Sequence, residues 1–305
     1  MLAINSVNTY RIPQKFEYYK PRDLREALEL LNSIEGAKIV AGGTDLVVDL
    51  KYRRVAPKAL IDVSELGELR FIRVGGNYIE IGSAVTMQEL AESELVRRSL
   101  PLLAEAVEMI GSWQIRNLAT IGGNICNASP AADSIPPLLT YDAELELVSL
   151  NGLRTISIEK FFTGPKRTVL ERGEILRSIK VPLSRQKFGW SYIKVGRTSF
   201  DLAKVSVAVL LRTEDGIVSE VRIALGSVAP TPVRARTTEK SITGMSLEKA
   251  AVRASELVVS EIAPIDDARS TAWYRYHVAK TLVRDAMWKA YERFLQAGGE
   301  NEDQV

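Results

Sequence analysis

The spacing of apolar residues predicts alternating helices and strands in the first half of the chain. Apolar positions recur at helical intervals from Leu24 to Leu31, and Gly36 follows as a stop signal. The next apolar run, 37–41, is short and leads directly into two glycines, so it predicts a buried strand that ends in a glycine loop. Thr86 and Glu89 have capping-box spacing. Further strands are predicted at 59–63, 69–74, 78–81, 143–149 and 153–158, and one long apolar helix at about 95–110.

The second half of the chain changes to long strands followed by helices. The strands are predicted at 204–212 and 216–225, and the helices at about 246–262 and 266–294. Strands followed by helices are typical of an α+β domain. The sequence therefore predicts a first domain over 1–178, a second over 179–295 and a polar, disordered tail over 296–305.

The amino-acid composition argues against a nucleic acid or a membrane as the partner of this chain. The chain has 305 residues, 46% of them hydrophobic, and its 40 Lys and Arg nearly balance 38 Asp and Glu. A net charge of +2 supplies no strong field for a nucleic acid or an anionic membrane. Neither a signal-peptide pattern nor an apolar run of membrane-spanning length is evident, so we expect a cytoplasmic, unprocessed protein.

The rarest residues argue against metal chemistry within this chain. A single cysteine, Cys126, excludes an internal disulfide and the four thiolates of an iron–sulfur cluster. A single histidine, His277, makes the usual zinc sites a poor hypothesis. We interpret Cys126 as a small buried residue rather than a redox thiol or a covalent flavin link. We interpret His277 as a packing or surface residue.

Two glycine pairs are the strongest chemical signal. Val40–Asp45 contains Gly42–Gly43, and Thr120–Asn124 contains a second pair after another apolar segment. Adjacent glycines allow successive N–H groups to turn toward an anion, so two such loops could hold two phosphates. The alternative is that each pair only makes a tight turn. Neither a Rossmann fingerprint nor a P-loop is present.

Three segments, 39–46, 120–133 and 174–182, together resemble the FAD-binding medium subunit of the molybdenum hydroxylases. This family includes carbon monoxide dehydrogenase, xanthine dehydrogenase and archaeal aldehyde oxidoreductases. Segment 222–235 is similar to the start of the family's C-terminal flavoprotein domain. The resemblance implies an α+β fold: a two-subdomain FAD-binding domain of the vanillyl-alcohol oxidase (PCMH) type, divided at about 1–56 and 57–178, and an α+β C-terminal domain with an antiparallel sheet and helices.

The resemblance also implies a set of residues that bind FAD noncovalently, with the pyrophosphate between the two glycine loops. Asp133 would lie near the sugar-derived chain of the flavin, or it would cap a helix that begins at Ser134. Leu176 would pack on the isoalloxazine, or it would be a plain core residue. The implied cofactor-binding residues are Ile39, Val40, Ala41, Gly42, Gly43, Thr44, Asp45, Leu46, Ile110, Ala119, Thr120, Gly122, Gly123, Asn124, Ser129, Asp133, Glu174, Leu176, Tyr192 and Lys194.

Tyr192 and Lys194 fall where relatives of the carbon monoxide dehydrogenase type carry an aromatic residue and a lysine beside the ring. A cation there would favour the anionic reduced flavin. Relatives of the xanthine dehydrogenase type place the lysine at the position of Ile193, so Lys194 could instead be a solvated strand lysine. Arg116 could pair with a phosphate or with a carboxylate.

The implied function is that of an electron-transfer subunit in a heterotrimer, often a dimer of trimers. A large subunit would carry molybdopterin and a small subunit two [2Fe–2S] clusters, and FAD would pass electrons to an external acceptor. One alternative is a self-contained flavin oxidase or reductase, similar to the UDP-N-acetylenolpyruvylglucosamine reductases, which needs a proton donor beside the flavin N5. Another is a flavin-free assembly module. The substrate, whether aldehyde, carbon monoxide, purine or heterocycle, and the acceptor are not determined by this chain.

Overall fold

The computed structural model describes Ile12 and residues 14–298. Gln296, the first residue of the predicted disordered tail, still belongs to the last helix. The remainder of that tail from 299 onward lies outside the described residues, as does the N-terminal segment 1–11 in which we found no targeting signal.

A small parallel sheet forms the first part of the molecule. Asp23 begins its first helix by accepting a hydrogen bond from the Glu26 amide at 2.8 Å, and the apolar face of that helix packs on the sheet. The third strand lies between the other two, so the predicted subdomain boundary near 56/57 is too early. The elements are β1 (Glu17–Tyr19), α1 (Leu24–Ser33), β2 (Ala37–Val40), α2 (Leu46–Lys51) and β3 (Ala59–Asp62).

An antiparallel five-stranded sheet forms the second part, in the order β4-β5-β10-β6-β7. Its strands are β4 (Ile72–Gly75), β5 (Tyr78–Gly82), β6 (Glu144–Ser149), β7 (Gly152–Ser157) and β10 (Ile175–Pro182). A separate hairpin, β8 (Phe162–Gly164) and β9 (Arg167–Thr168), lies between β7 and β10 in the chain. The predicted domain boundary at 178/179 falls within β10, which pairs with β6 through Lys180 and with β5 through Pro182.

Six short helices lie between β5 and β6 in the chain. They are α3 (Met87–Glu92), α4 (Glu94–Ser99), α5 (Pro101–Glu108), α6 (Trp113–Arg116), α7 (Ile121–Cys126) and α8 (Ile135–Thr140). The capping box of Thr86 and Glu89 begins α3 as predicted. The single helix predicted over 95–110 is wrong, because Pro101 lacks the N–H needed to continue α4 and instead occupies the first turn of α5.

The last part of the chain is an antiparallel sheet in the order β11-β12-β13-β14, with helices on one face. The strands are β11 (Gly189–Val195), β12 (Val205–Glu214), β13 (Ile217–Gly226) and β14 (Val233–Arg234). The helices are α9 (Arg236–Ile242), α10 (Leu247–Leu257) and α11 (Ala272–Gln296). The predicted start of the last helix at 266 is too early, since Thr271 caps α11.

The two faces of the β11–β14 sheet enter different cores. Val205, Val207 and Val209 pack with α10 and α11, whereas Ala208 and Leu210 join the core of the five-stranded sheet. This alternation follows from the period of two residues in a strand. The α+β fold, with an FAD-domain-like first part and a sheet-and-helix second part, is confirmed. Among the described helices, none is both long and apolar enough to cross a membrane.

Candidate functional site

A cavity of about 580 Å³ lies where the parallel sheet meets the five-stranded sheet. Its size falls within the range of small-molecule and cofactor sites. The lining residues come from both glycine loops, from α2 and α7, and from the start of β10. They are Lys38, Ile39, Val40, Ala41, Gly42, Gly43, Thr44, Asp45, Leu46, Asp49, Arg54, Val55, Val63, Ser83, Ala84, Ala119, Thr120, Gly122, Gly123, Asn124, Cys126, Asn127, Lys166, Leu170, Glu174, Ile175 and Leu176.

The first glycine loop offers free main-chain donors to this cavity. It leaves β2 at Val40, turns at Gly43 with a φ of 68°, and enters α2. Within the part of the chain that the structure describes, the amide N–H groups of Gly42, Gly43 and Thr44 have no acceptor. Unpaired N–H groups at a left-handed turn form a concave anion site. This loop therefore has the geometry expected for binding a phosphate.

The second glycine pair is built differently, because Gly122 and Gly123 lie in α7 and not in the loop expected from the sequence. The amides of Gly122 and Gly123 donate to the Ser83 carbonyl at 2.9 Å and to Thr120 Oγ1 at 3.1 Å. The amide of Asn124 donates to the Thr120 carbonyl at 3.0 Å. The expectation of two equivalent amide cradles is therefore wrong. The second loop can contribute the side chain of Asn124 and the open face beside Gly123, which is exposed.

The first glycine of each pair is required by packing within the protein. A Cβ on Gly42 would lie 1.8 Å from the Leu118 carbonyl oxygen, and one on Gly122 would lie 2.5 Å from Ser83 Cβ. Both clashes involve the main chain or an atom close to it, so neither neighbour can move aside cheaply. The first contact places the Gly42 loop against Leu118, and the second places α7 against Ser83 after β5, which explains part of the pattern without a ligand.

Basic side chains around the cavity are the main feature that sequence reasoning missed. Arg54 pairs with Asp49 at 3.1 Å, and Lys166 Nζ donates to Asn127 Oδ1 at 2.5 Å. Lys38 also lines the cavity. Cations near an anionic pyrophosphate would stabilise it. Lys166 follows Gly–Pro in a turn, which carries no local signal that its side chain reaches Asn127, 39 positions away, and the cavity.

Glu174 and Leu176 form the wall on the β10 side. The Arg154 guanidinium donates to both Glu174 carboxylate oxygens, at 2.6 and 2.7 Å, and these bonds hold the pKa of Glu174 below its ordinary value of 4.5. Leu176 is only 3% exposed and belongs to the core as well as to the cavity lining. Both interpretations of Leu176 from sequence are therefore compatible with the structure.

Asp133, Tyr192 and Lys194 meet in a buried cluster behind the cavity lining. Tyr192 Oη donates to Asp133 Oδ1 at 2.7 Å, and Lys194 Nζ lies 2.8 Å from Asp133 Oδ2. The Lys194 side chain is 3% exposed, so the solvated-lysine alternative is wrong. The capping alternative for Asp133 is also wrong, because Ser134 occupies the N-cap position of α8. Burial raises the pKa of Asp133, although Lys194 and Tyr192 oppose that change, and burial raises the pKa of Tyr192 well above its ordinary value.

Ile110, Ser129 and Arg116 lie away from the cavity lining. Ile110 packs against the core of the five-stranded sheet, and Ser129 Oγ accepts from the Ala131 amide at 3.3 Å. Arg116 pairs with no carboxylate among the described residues, and its guanidinium donates instead to Gln88 Oε1 at 3.0 Å and to the Ile110 carbonyl at 3.3 Å. Ile110 and Arg116 belong to the segment before α7 and Ser129 to the segment after it, and none of the three lines the cavity.

The single cysteine and the single histidine behave as structural residues. Cys126 lines the cavity, and burial raises the pKa of its thiol to about 12, so it is held as a thiol. His277 is exposed on α11 and stacks on Trp273, with ring centroids 4.2 Å apart. Both observations agree with the interpretations favoured from sequence.

The fold and the cavity together define a class of cofactor-binding proteins, and comparison with known families agrees with it. The family described as "FAD binding domain in molybdopterin dehydrogenase" matches residues 14–184, and the "CO dehydrogenase flavoprotein C-terminal domain" matches residues 190–290. The chain therefore belongs to the family of FAD-binding medium subunits of the molybdenum hydroxylases. The gap between the two matches contains the connection from β10 to β11.

The known relatives are similar to this chain over nearly their whole length. The chain is 37% identical to the carbon monoxide dehydrogenase medium chain of Hydrogenophaga pseudoflava, over 92% of this chain and 99% of that protein. It is 35% identical to the xanthine dehydrogenase FAD-binding subunit of Escherichia coli O157:H7, over 90% and 95%. A solved carbon monoxide dehydrogenase structure from H. pseudoflava matches with a TM-score of 0.90, at 36% identity, covering 93% of this chain and 99% of that one.

The residues present fit FAD. Free amides at Gly42–Thr44 and cations at Lys38, Arg54 and Lys166 suit a pyrophosphate, while Ile39, Val40 and Leu176 supply apolar wall. The chain is an FAD-binding subunit of an oxidoreductase.

Proposed function

We propose that this chain receives electrons from [2Fe–2S] clusters on a partner subunit and passes them through FAD to an external acceptor. The partners would be a large molybdopterin-binding subunit and a small iron–sulfur subunit, assembled as a dimer of heterotrimers. The name "medium chain" carried by the relatives supports a large and a small companion. The cytoplasmic location expected from the sequence stays a prediction.

The observation that carries this proposal is the cavity, which combines anion-binding amides with an apolar wall. Among the described residues, no three or more His, Cys, Asp or Glu side chains come together as a metal site requires. The only cysteine, Cys126, is half-buried in the cavity lining and is held as a thiol. A chain that can hold FAD and lacks cluster ligands is suited to relaying electrons supplied by a partner.

Each part of the site has a distinct task in this proposal. The amides of Gly42–Thr44 and the side chains of Lys38, Arg54 and Lys166 would hold the pyrophosphate. The apolar wall that includes Leu176 would exclude water from the ring. Bound FAD supplies the ability to accept electrons singly and release them in pairs.

The predicted site residues then divide into two groups. We propose direct FAD contact for those that line the cavity. For Asp133, Tyr192 and Lys194 we propose an indirect role, since their mutual bonds fix the main chain next to Ser134 and Asn124. In this proposal Lys194 does not lie directly beside the flavin ring, which is where the resemblance would place it.

The test compares the lone FAD-loaded chain with the assembled complex. Carbon monoxide, xanthine and an aldehyde are offered to each, and flavin absorbance is followed without oxygen. We expect substrate to bleach the flavin only in the complex, whereas dithionite bleaches both. Bleaching of the lone chain by a substrate would support a self-contained flavoenzyme instead. A chain that retains no flavin under mild conditions would support the assembly-module alternative.

A further inference from the structure

Ser134 stands at the N-terminus of α8, but its hydroxyl does not cap the helix. It stands at the N-cap position of α8, where a serine ordinarily accepts from the second or third helical amide. Those two positions are Pro136 and Pro137, which have no N–H. The Ser–Ile–Pro–Pro sequence therefore leaves the Ser134 hydroxyl available for another partner.

That partner is Asn124, on the wall of the cavity. Ser134 Oγ donates to Asn124 Oδ1 at 2.7 Å, and Ser134 is completely buried. Because Ser134 donates to Oδ1, the Asn124 amide is held in one orientation, and its Nδ2 group is the part that can donate to a ligand. No acceptor for Nδ2 occurs in the described portion of the protein, and the residue lines the cavity. The amide is therefore oriented as a donor.

The main chain that carries Ser134 is itself immobilised. The neighbouring Asp133 is held by Tyr192 and by Lys194, and Lys194 also donates to the Met109 carbonyl at 3.0 Å. These contacts connect β11 of the C-terminal domain to residues 133–134. A buried hydroxyl on a rigid segment can set one orientation of the asparagine amide, where a mobile one could not.

We propose that Ser134 is a positioning residue that turns the Asn124 amide so that its Nδ2 group donates to an acceptor oxygen of FAD. The oxygen belongs either to the pyrophosphate or to an isoalloxazine carbonyl. The proposal rests on the proposed function only in that the cavity binds FAD. Without Ser134, the Asn124 amide can rotate and present its carbonyl oxygen, which repels an acceptor.

The test uses the full-length chain, stripped of flavin and titrated with FAD, with binding followed by flavin fluorescence. Ser134→Ala should weaken FAD binding about tenfold, equivalent to about 1.4 kcal/mol. Asn124→Ala should weaken it at least as much, and the double variant should be no weaker than Asn124→Ala alone. Thr140→Val removes another fully buried hydroxyl from α8, and it should leave FAD binding unchanged.

The flavin midpoint potential distinguishes the two possible acceptors. If Asn124 contacts the pyrophosphate, Ser134→Ala weakens oxidised and reduced FAD equally and the potential is unchanged. If it contacts a ring carbonyl, the potential shifts, because the charge on that oxygen changes on reduction. Ser134→Cys, which keeps the size of the side chain but donates weakly, guards against a folding defect and should show the same loss.

Two results would overturn the proposal. One is FAD affinity within twofold of wild type in both Ser134 variants. The other is a Ser134→Ala effect that persists undiminished in the Asn124→Ala background, which would mean a general packing role. If the wild-type chain itself bound no FAD, the proposed function would fail together with this inference, and that titration is measured separately.

Discussion

Replacing Lys194 by Met should destabilise the protein strongly, because it leaves Asp133 buried without its cation. The two side chains are 3% and 4% exposed and lie 2.8 Å apart. Removing one member of a buried ion pair costs roughly 3–5 kcal/mol, since the remaining charge has lost both water and its partner. Tyr192 continues to donate to Asp133, which places the expected cost near the lower end of that range.

Thermal unfolding of the full chain measures this cost. At roughly 2–4 °C for each kcal/mol, a cost near 3 kcal/mol should lower the midpoint by roughly 6–12 °C. Lys20→Met is the matched control, because Lys20 and Glu65 form a 2.6 Å pair whose side chains are 49% and 68% exposed. An exposed pair contributes at most about 1 kcal/mol, so the control should lose little.

The pH dependence supplies a second signature. In Lys194→Met the buried Asp133 carboxyl should take up a proton, so its pKa in the folded state lies further above the ordinary 3.8 than in the wild type. Because the folded state then binds more protons than the unfolded state, the variant should become relatively more stable as the pH falls toward 3.8. A midpoint within 2 °C of wild type at neutral pH, or a deficit that does not change with pH, would refute this reasoning.

Three further predictions concern the cavity itself. Gly42→Ala should lower stability by about 1–3 kcal/mol and reduce bound FAD, because its Cβ meets a main-chain oxygen at 1.8 Å. In the control Gly67→Ala the Cβ lies in open space, so melting and flavin content should match wild type; equal behaviour of the two variants would contradict this. Glu174→Gln should lower the free energy of unfolding by about 1 kcal/mol above pH 4.5, because Arg154 lowers the pKa of the native carboxyl. In urea titrations the difference from wild type should shrink as the pH falls through that lowered pKa; a difference independent of pH would argue against the ion pair. Acid precipitation should release all of the flavin, because the only cysteine is held as a thiol and the only histidine is exposed on α11. Yellow colour left in the pellet would indicate a covalent link.

Features that depend on neighbours in the chain were predictable. The capping box at Thr86 formed where local hydrogen bonding predicts it, and the strands predicted at 143–149 and 153–158 form the hairpin of β6 and β7. The helix break at Pro101 was also a local signal, but the continuing apolar periodicity concealed it. The first glycine loop formed where a strand ending in two glycines predicts it, since glycine tolerates the positive φ of Gly43, whereas the second pair lies in α7.

The donors and charges of the site could not be predicted in this way. Whether a loop amide is free depends on what lies opposite it: the Ser83 carbonyl accepts from the Gly122 amide, whereas no acceptor for the amides of Gly42, Gly43 and Thr44 occurs among the described residues. Lys166 reaches Asn127 and the cavity from a distant turn. Subdomain limits were misplaced for the same reason, since strand pairing across the sheet decides where a sheet ends.

The sequence by itself determined the family, the α+β class and the segments that form the cavity, because these depend on local patterns and on continuous motifs. Only the tertiary structure decided the roles of single side chains. Lys194 is a buried partner of Asp133 because β11 packs across a segment 61 positions away in the chain. Ser134 orients Asn124 because α8 begins beside α7. Hydrogen bonds and ion pairs between distant segments form only after the sheets have packed, so no local pattern encodes them.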